Sequence, residues 1–540
     1  MAVILSICVL LISAGVVLAT ISTENARKNI VLIIADDLGW NDISLHGSDQ
    51  ILTPNIDMLG YAGVAFGRYY SHCICTPSRS ALLTGKYAYT TGMQGYPLTN
   101  SEDRGLPVTE KLLPQYLKEQ GYSTHLVGKW HVGSSREKFL ATNRGFDTHY
   151  GHRGGYIDYY EYTLEETWNI GKVSGMGLFR NETADWGAEG YLTDLYNEEA
   201  ISIIKSHDES TPLFLMLAHN APHGSNEGAI LQAPPDVVRA MRHVELPERR
   251  IYAAMVKKLD DSIGDVIEAL MEKDILKNTI ILFISDNGAM TSGSYLNYGN
   301  NWPLRGIKMS PFEGGVRVPA VLWSPEVVSS KLYEGYVHVS DWLPTLLSAA
   351  GLSPPADIDG YDVWNEIKSN AVSKRSEIFE IDDTADYASI ISGDYKLIIG
   401  NVTRANSNHQ GGDYLGIIGE PPSYTEAIGN SKAYKVFEAI GHTVTIEDLI
   451  IRNSLNVTCQ NRNIDDAKIC YPGNGKVCLF NIKEDPCETV DLSEECPDIV
   501  EKLTARLEIE QFRMIPRILP FIRDPKSHPG LHNYTWDTFY

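Results

Sequence analysis

Three stretches of this chain are apolar without interruption and then turn abruptly polar. Asn29 to Asp37 (NIVLIIADD), Thr211 to His223 (TPLFLMLAHNAPH) and Asn278 to Gly288 (NTIILFISDNG) show no period-2 alternation before they end in acidic, amide or imidazole groups. Such a run suits a central strand buried on both faces, with its polar end at a binding edge. Elsewhere the apolar spacing is helical over Pro247 to Lys273, with Pro247 near its start, and Thr109 to Tyr122 and Ser340 to Gly351 read as further helices from their capping residues. Strand, helix, strand predicts an α/β sandwich around a large, mostly parallel sheet, with ligands beyond the carboxyl ends of the strands. From about Ser376 the pattern shortens. SEIFEID, YASIISGDYKLIIGN and KVCLFNIKEDP read as short strands, and CPDIVEKLTARLEIEQFR as a helix. The expected organisation is a main domain over 27–375 and a small α+β domain over 376–540, with no internal repeat.

The opening run, MAVILSICVLLISAGVVLA over residues 1–19, has the apolar core and small terminal residues of a secretory signal peptide. It lacks a basic start and is long enough to anchor in a bilayer if uncleaved. Secretion agrees with Asn-X-Thr sequons at Asn181, Asn401, Asn456 and Asn533 as glycosylation sites. Cys459, Cys470, Cys478, Cys487 and Cys496 crowd together without the CxxC pairs of a zinc site, so disulfides in an oxidising compartment are expected. With Cys75 reserved for chemistry, six mature cysteines remain, which predicts that Cys73 pairs with a late one. The destination expected is the secretory pathway, lysosomal or extracellular, with no membrane association after cleavage. A net charge of -23 argues against nucleic acid or an anionic membrane as partner, while leaving room for a local cationic pocket.

Chemistry collects at the strand ends. Asp36 with Asp37, and Asp286 with Asn287, close two buried runs; three carboxylates and an amide suit a hard ion such as Ca²⁺ or Mg²⁺. In CTPSRSALLTG, Thr76 can cap a helix that begins at Pro77, which puts Cys75 at its N-terminal mouth and Arg79 one turn on. GKWHVG supplies Lys129 and His131, two apart on one side of an extended segment; His223 ends its strand, and Lys308 follows a Gly/Asn-rich loop. Together these cations and histidines would bind a tetrahedral oxyanion and stabilise its transfer.

CTPSRSALLTG matches the sulfatase signature, in which the cysteine is oxidised to formylglycine. IADDLGWNDISLHGS, TPNIDMLGYAGV, GKWHVG, FISDNGA and NNWPLRGIKMSPFEGGVRVP also resemble animal sulfatases, the last most closely the arylsulfatase B branch. The resemblance implies an alkaline-phosphatase-like α/β fold, a formylglycine-generating enzyme as maturation partner, and one Ca²⁺ held by Asp36, Asp37, Asp286, Asn287 and an oxygen on modified Cys75. It implies that Arg79 holds the hydrated aldehyde, that Lys129, His223 and Lys308 grip sulfate or assist the leaving group, and that His131 helps release sulfate. One hydroxyl of the hydrate would attack sulfur and the second would then expel sulfate. The substrate expected is a sulfated glycan or small molecule, foremost N-acetylgalactosamine 4-sulfate. Plant glucosinolates and an inactive, secreted sulfatase-fold binding protein stand as alternatives. After His223 the chain departs from the resemblance with GSNEGAILQAP, beside the expected substrate pocket.

Overall fold

The computed structural model describes residues 27–540 except 294, 328–330, 409–410, 460–468 and 518–521. The expected signal peptide over residues 1–19 lies outside the described residues. Among the described residues, no helix is long and apolar enough to cross a membrane.

A ten-stranded sheet organises the molecule. At its centre are β1 (Asn29–Ala35), β2 (Ser123–Gly128), β3 (Leu213–Ala218) and β4 (Thr279–Ser285), in the order β4-β1-β3-β2 and all parallel. Every residue of β1, β3 and β4 is buried, as uninterrupted apolar runs require. Their side chains nevertheless alternate between faces: Val31, Ile33 and Ala35 join one core, and Ile30, Leu32 and Ile34 the other. The first core is covered by helices that include Pro247–Glu272; the second by Cys75–Thr84, Leu113–Glu119 and Trp342–Ala349. The helix expected over Thr109 to Tyr122 is thus shorter.

Register fixes the functional edge. Ala35 pairs with Ser285, and Ala218 with Gly128, so Asp36, Asp286, His219 and Lys129 leave the sheet side by side.

The C-terminal segment forms a second, antiparallel sheet of four strands, Glu377–Asp382, Tyr387–Ser392, Tyr395–Gly400 and Cys478–Asn481, with Pro497–Gln511 packed against it. Disulfides join Cys459 to Cys487 and Cys470 to Cys478. Fully buried Lys396 reaches Glu313 at 2.9 Å and Glu488 at 3.0 Å, fastening this sheet to the segment that follows Lys308. Buried charges need such pairing, because one left unpaired costs several kcal/mol (about 3–5). Between the third and fourth strands the chain returns to the large sheet's helical layer, where Phe437 packs on Trp323 with ring centroids 5.4 Å apart.

The expectation that Cys73 joins a late cysteine is incorrect. Its thiol is free and buried, 2.9 Å from the Tyr387 hydroxyl and 3.6 Å from Glu380 Oε1. The small sheet therefore covers Cys73 through polar contacts, and Cys496 is also free.

Candidate active site

The helix bearing Cys75, α1, runs over Cys75–Thr84 with Ile74 as its N-cap residue. It begins two residues before Pro77: Ser78 N–H already donates to Ile74 O at 3.1 Å. Thr76 does not cap it. Its hydroxyl donates to His131 O at 3.1 Å and accepts from Leu98 N–H at 3.1 Å, tying the helix start to the loop that carries His131. Cys75 thus occupies the first helical position, only 2% exposed, where unpaired N–H groups favour an anion. Gly85 ends the helix in the left-handed region at φ 68°, donating to Ala81 O.

Asp36, Asp37, Cys75 and His223 each bring a ligand atom within 4.8 Å of the others. Asp286 stands next to them, its Oδ1 accepting from Asp37 N–H at 3.3 Å. Each carboxylate is matched by a cation. Lys129 Nζ lies 2.6 Å from Asp36 Oδ2, Lys308 Nζ 2.6 Å from Asp37 Oδ1, and Arg79 donates to Asp286 Oδ2 through Nε at 3.1 Å and Nη2 at 2.8 Å. Asn287 donates to Asp37 Oδ1 at 2.6 Å. All the residues predicted for the metal therefore converge at one edge of the sheet. Two oxygens there, Asp36 Oδ1 and Asn287 Oδ1, are buried without a hydrogen-bond partner among the described residues. Burial and then the Asp36 charge push the Asp286 carboxyl upward, against Arg79 and Lys129. Unsatisfied oxygens among crowded carboxylates make a donor set that fits a hard divalent cation.

The protonation chemistry divides between two histidines. His131 Nε2 donates to Leu98 O at 2.9 Å, which leaves Nδ1 bare, buried and without a partner among the described residues. Burial, then Lys129 and Arg79, hold this ring well below the usual histidine range, so it stays neutral with Nδ1 unprotonated. His223 is the opposite case. Its Nδ1 donates to Gly224 O at 2.6 Å, and its Nε2 faces Asp37 Oδ2 at 3.4 Å and Lys308 Nζ at 3.2 Å. Burial would lower it, but Asp37 and Asp36, together with the hydrogen bond to Cys75, outweigh that and Lys308, raising it. For Cys75 burial would raise the thiol, yet Lys129, Lys308 and the His223 hydrogen bond bring it well below the ordinary thiol range. The centre stabilises negative charge at position 75.

GKWHVG is not extended throughout, since His131 adopts φ 57°; Lys129 and His131 reach the site by a kink rather than by alternation. Asp37 also sits at φ 62°. Such conformations cost about 1–3 kcal/mol and persist where the surroundings impose them, commonly at functional sites.

Two further residues were missed by motif reasoning. Gly155 lies so close to His131 that a Cβ would stand 2.9 Å from Nε2. Tyr156 stacks on His223 with ring centroids 5.9 Å apart and planes 7° from parallel, its hydroxyl donating to Glu165 O at 2.5 Å. The departing loop after His223 folds back through Ser225 N–H to Ile230 O at 2.8 Å, and Asn226 Oδ1 accepts from Glu165 N–H at 3.0 Å. That loop, with the hairpin of Thr163–Trp168 and Gly171–Met176, frames the Tyr156 side of the site.

A family model described as Sulfatase matches residues 28–352. The chain is similar to mouse arylsulfatase J, 34% identical over 520 residues, covering 95% of this chain and 81% of that protein. It is similar to human N-acetylgalactosamine-6-sulfatase at 32% identity over 377 residues, covering 66% of this chain and 69% of that protein. Among solved structures, Ps i-CgsB in complex with k-i-k-neocarrahexaose matches with TM-score 0.71 at 26% identity, covering 94% of this chain and 98% of that one.

Proposed function

Because this chain belongs to the sulfatase family and is a sulfuric ester hydrolase, we propose that it works through an oxidised Cys75 and one divalent cation, on sulfate carried by an amino sugar. The observation that carries the mechanism is the placement of Cys75 on the first turn of α1, among Arg79, Lys129, His223 and Lys308 and beside three carboxylates. Asp36, Asp37, Asp286 and Asn287 would hold Ca²⁺, which supplies Lewis-acid polarisation of an oxygen. Formylglycine at position 75, made by a formylglycine-generating enzyme, supplies as its hydrate an attacking hydroxyl and a second hydroxyl whose deprotonation lets sulfate leave.

The remaining work belongs to the chain. Lys129 and Lys308 neutralise sulfate oxygens, and Arg79, locked by Asp286 and by Lys129 O at 3.2 Å, holds the hydrate in orientation. His223 Nε2 donates a proton to the departing alcohol oxygen, and bare His131 Nδ1 accepts one when sulfate is released. A sulfate monoester carries one negative charge where a phosphate monoester carries close to two, so one divalent ion and these cations suffice.

The amino-sugar assignment rests on the likeness to N-acetylgalactosamine-6-sulfatase and on the arylsulfatase B resemblance around Lys308. The disulfides support maturation in an oxidising secretory compartment, with a lysosomal or extracellular destination. A panel of N-acetylgalactosamine 4-sulfate and 6-sulfate, glucosinolates and matched aryl sulfate and phosphate tests both halves. Sulfate release from the 4-sulfated sugar, with aryl sulfate preferred over aryl phosphate in kcat/KM, is expected. Turnover of glucosinolate alone would reassign the substrate and leave the mechanism standing; the reverse ester preference would overturn the mechanism.

Tyr156 tests the proton-donor assignment. Its stacked contact is worth about 0.5–1.5 kcal/mol, so Tyr156→Ala should lower kcat roughly three- to tenfold and shift the pH profile of kcat, while Tyr156→Phe retains most of the rate. Equal losses in both variants, or an unmoved profile, would remove Tyr156 from the positioning of His223.

A further inference from the structure

A cavity of about 280 Å³ opens on the surface between Trp40–Gln50, Trp302, Leu415, Ile417 and the exposed side chain of Asn456. Its walls combine apolar surface from Trp302, Leu415, Ile417 and Val457 with polar groups from Asn41, Ser48 and Asp49. That mixture suits a pyranose ring, whose C–H face packs on apolar side chains while its hydroxyl and amide groups reach polar ones. Asn456 is also the acceptor of an Asn-Val-Thr sequon. We propose that this cavity seats the first N-acetylglucosamine of a glycan attached to Asn456, so that the sugar becomes a packed part of the fold.

The attachment point is fixed against the cavity from both sides. Asn456 is the C-cap residue of the helix Ile446–Leu455, and Arg452 of that helix donates to Ser44 O at 2.8 Å, Ser48 O at 3.2 Å and Asp49 Oδ1 at 2.6 Å. Three residues beyond, Cys459 is anchored by its disulfide to Cys487 and lies 3.6 Å from Pro303 O on the cavity wall. Gly47, at φ 95°, has no side chain where a Cβ would come within 2.6 Å of Asn456 Cγ, which lets the amide lie against the rim. The Asn456 amide has no hydrogen-bond partner among the described residues, whereas Asn401 Nδ2 donates to Asp386 Oδ2 at 2.7 Å. In the attachment, Asn456 Nδ2 bonds to the anomeric carbon of a polyprenyl-diphosphate-linked oligosaccharide. The carbon–oxygen bond to diphosphate breaks, and the amide nitrogen loses one proton to a base.

The test uses full-length protein from a secretory host, with glycopeptides mapped before and after peptide-N-glycosidase treatment. In folded protein, release from Asn456 should be at least about tenfold slower than from exposed Asn533, and denaturation should equalise the two. Ile417→Asp, at a rim position 37% exposed, should speed release at Asn456 severalfold and leave Asn533 unchanged, with the melting temperature reporting that the fold is intact. An unoccupied Asn456, equal native rates, or indifference to Ile417→Asp in folded protein would each overturn the proposal. None of these readouts depends on sulfatase activity.

Discussion

Cys75→Ala is expected to lower kcat/KM on an aryl sulfate by roughly three to six orders of magnitude, the range for loss of a nucleophile that acts as part of a unit. The fold should survive. The side chain is small, and α1 is held by its own packing, by Thr76 to His131 O and by Arg79 to Asp286, none of which involves sulfur. Active protein should carry an aldehyde at position 75, with the sulfur and two hydrogens of the cysteine replaced by one oxygen, as read in the mass of the peptide spanning Cys75 and Arg79. Cys75→Ser separates nucleophile from aldehyde. A serine can accept sulfate but lacks the second hydroxyl that expels it, so a single turnover followed by arrest is expected. Full activity from protein whose position 75 is entirely thiol would refute the assignment.

The strand-end chemistry was legible because it is local: an apolar run ending in Asp36-Asp37 or Asp286-Asn287 states both the burial of the strand and the polarity of its edge. Parallel pairing then brings the two ends together, and the alternation of strands and helices implied that pairing. The helix start was misread because Thr76 and Pro77 form a strong local capping signal, whereas Thr76 is drawn instead to His131 O, 55 residues away in sequence. Pro77, as the third residue of α1, still lacks only an N–H that no intrahelical carbonyl needs. Parity misled the cysteine count. Cys73 is satisfied by Tyr387 and Glu380 from the small sheet, contacts more than 300 residues distant, and Cys496 leaves the late group odd. Gly155 and Tyr156 lie in a loop without a motif. Only the folded position of His131 and His223 gives them meaning, and a Gly-Gly-Tyr run was the single available signal.

Asp286→Asn is expected to lose divalent metal and activity together. The substitution keeps the shape of the side chain while removing one of three carboxylate charges, and hard-cation affinity follows the number of charged oxygens; a loss of roughly two orders of magnitude in Ca²⁺ affinity is expected. Metal analysis of dialysed protein and calcium titration read this directly, and excess Ca²⁺ should restore part of the rate. A ligand that binds only the folded state stabilises it by about 2.7 kcal/mol at a hundred times its dissociation constant. Wild-type protein should therefore melt higher in Ca²⁺ than in chelator, and Asp286→Asn should show almost no such gain at the same concentration. The variant also removes the partner of a fully buried guanidinium, so a structural loss must be told apart from a metal-site loss. Asp36→Asn makes that distinction: it leaves Arg79 paired with Asp286 and takes the charge partner from buried Lys129 instead, so a loss shared by both variants does not come from stranding the guanidinium alone. If both variants lose metal and the calcium-dependent rise in melting temperature, the carboxylates share one ion. Retained metal in both, alongside lost activity, would assign the cluster to holding Arg79 and Lys129 in place, and the cation would have to be sought elsewhere.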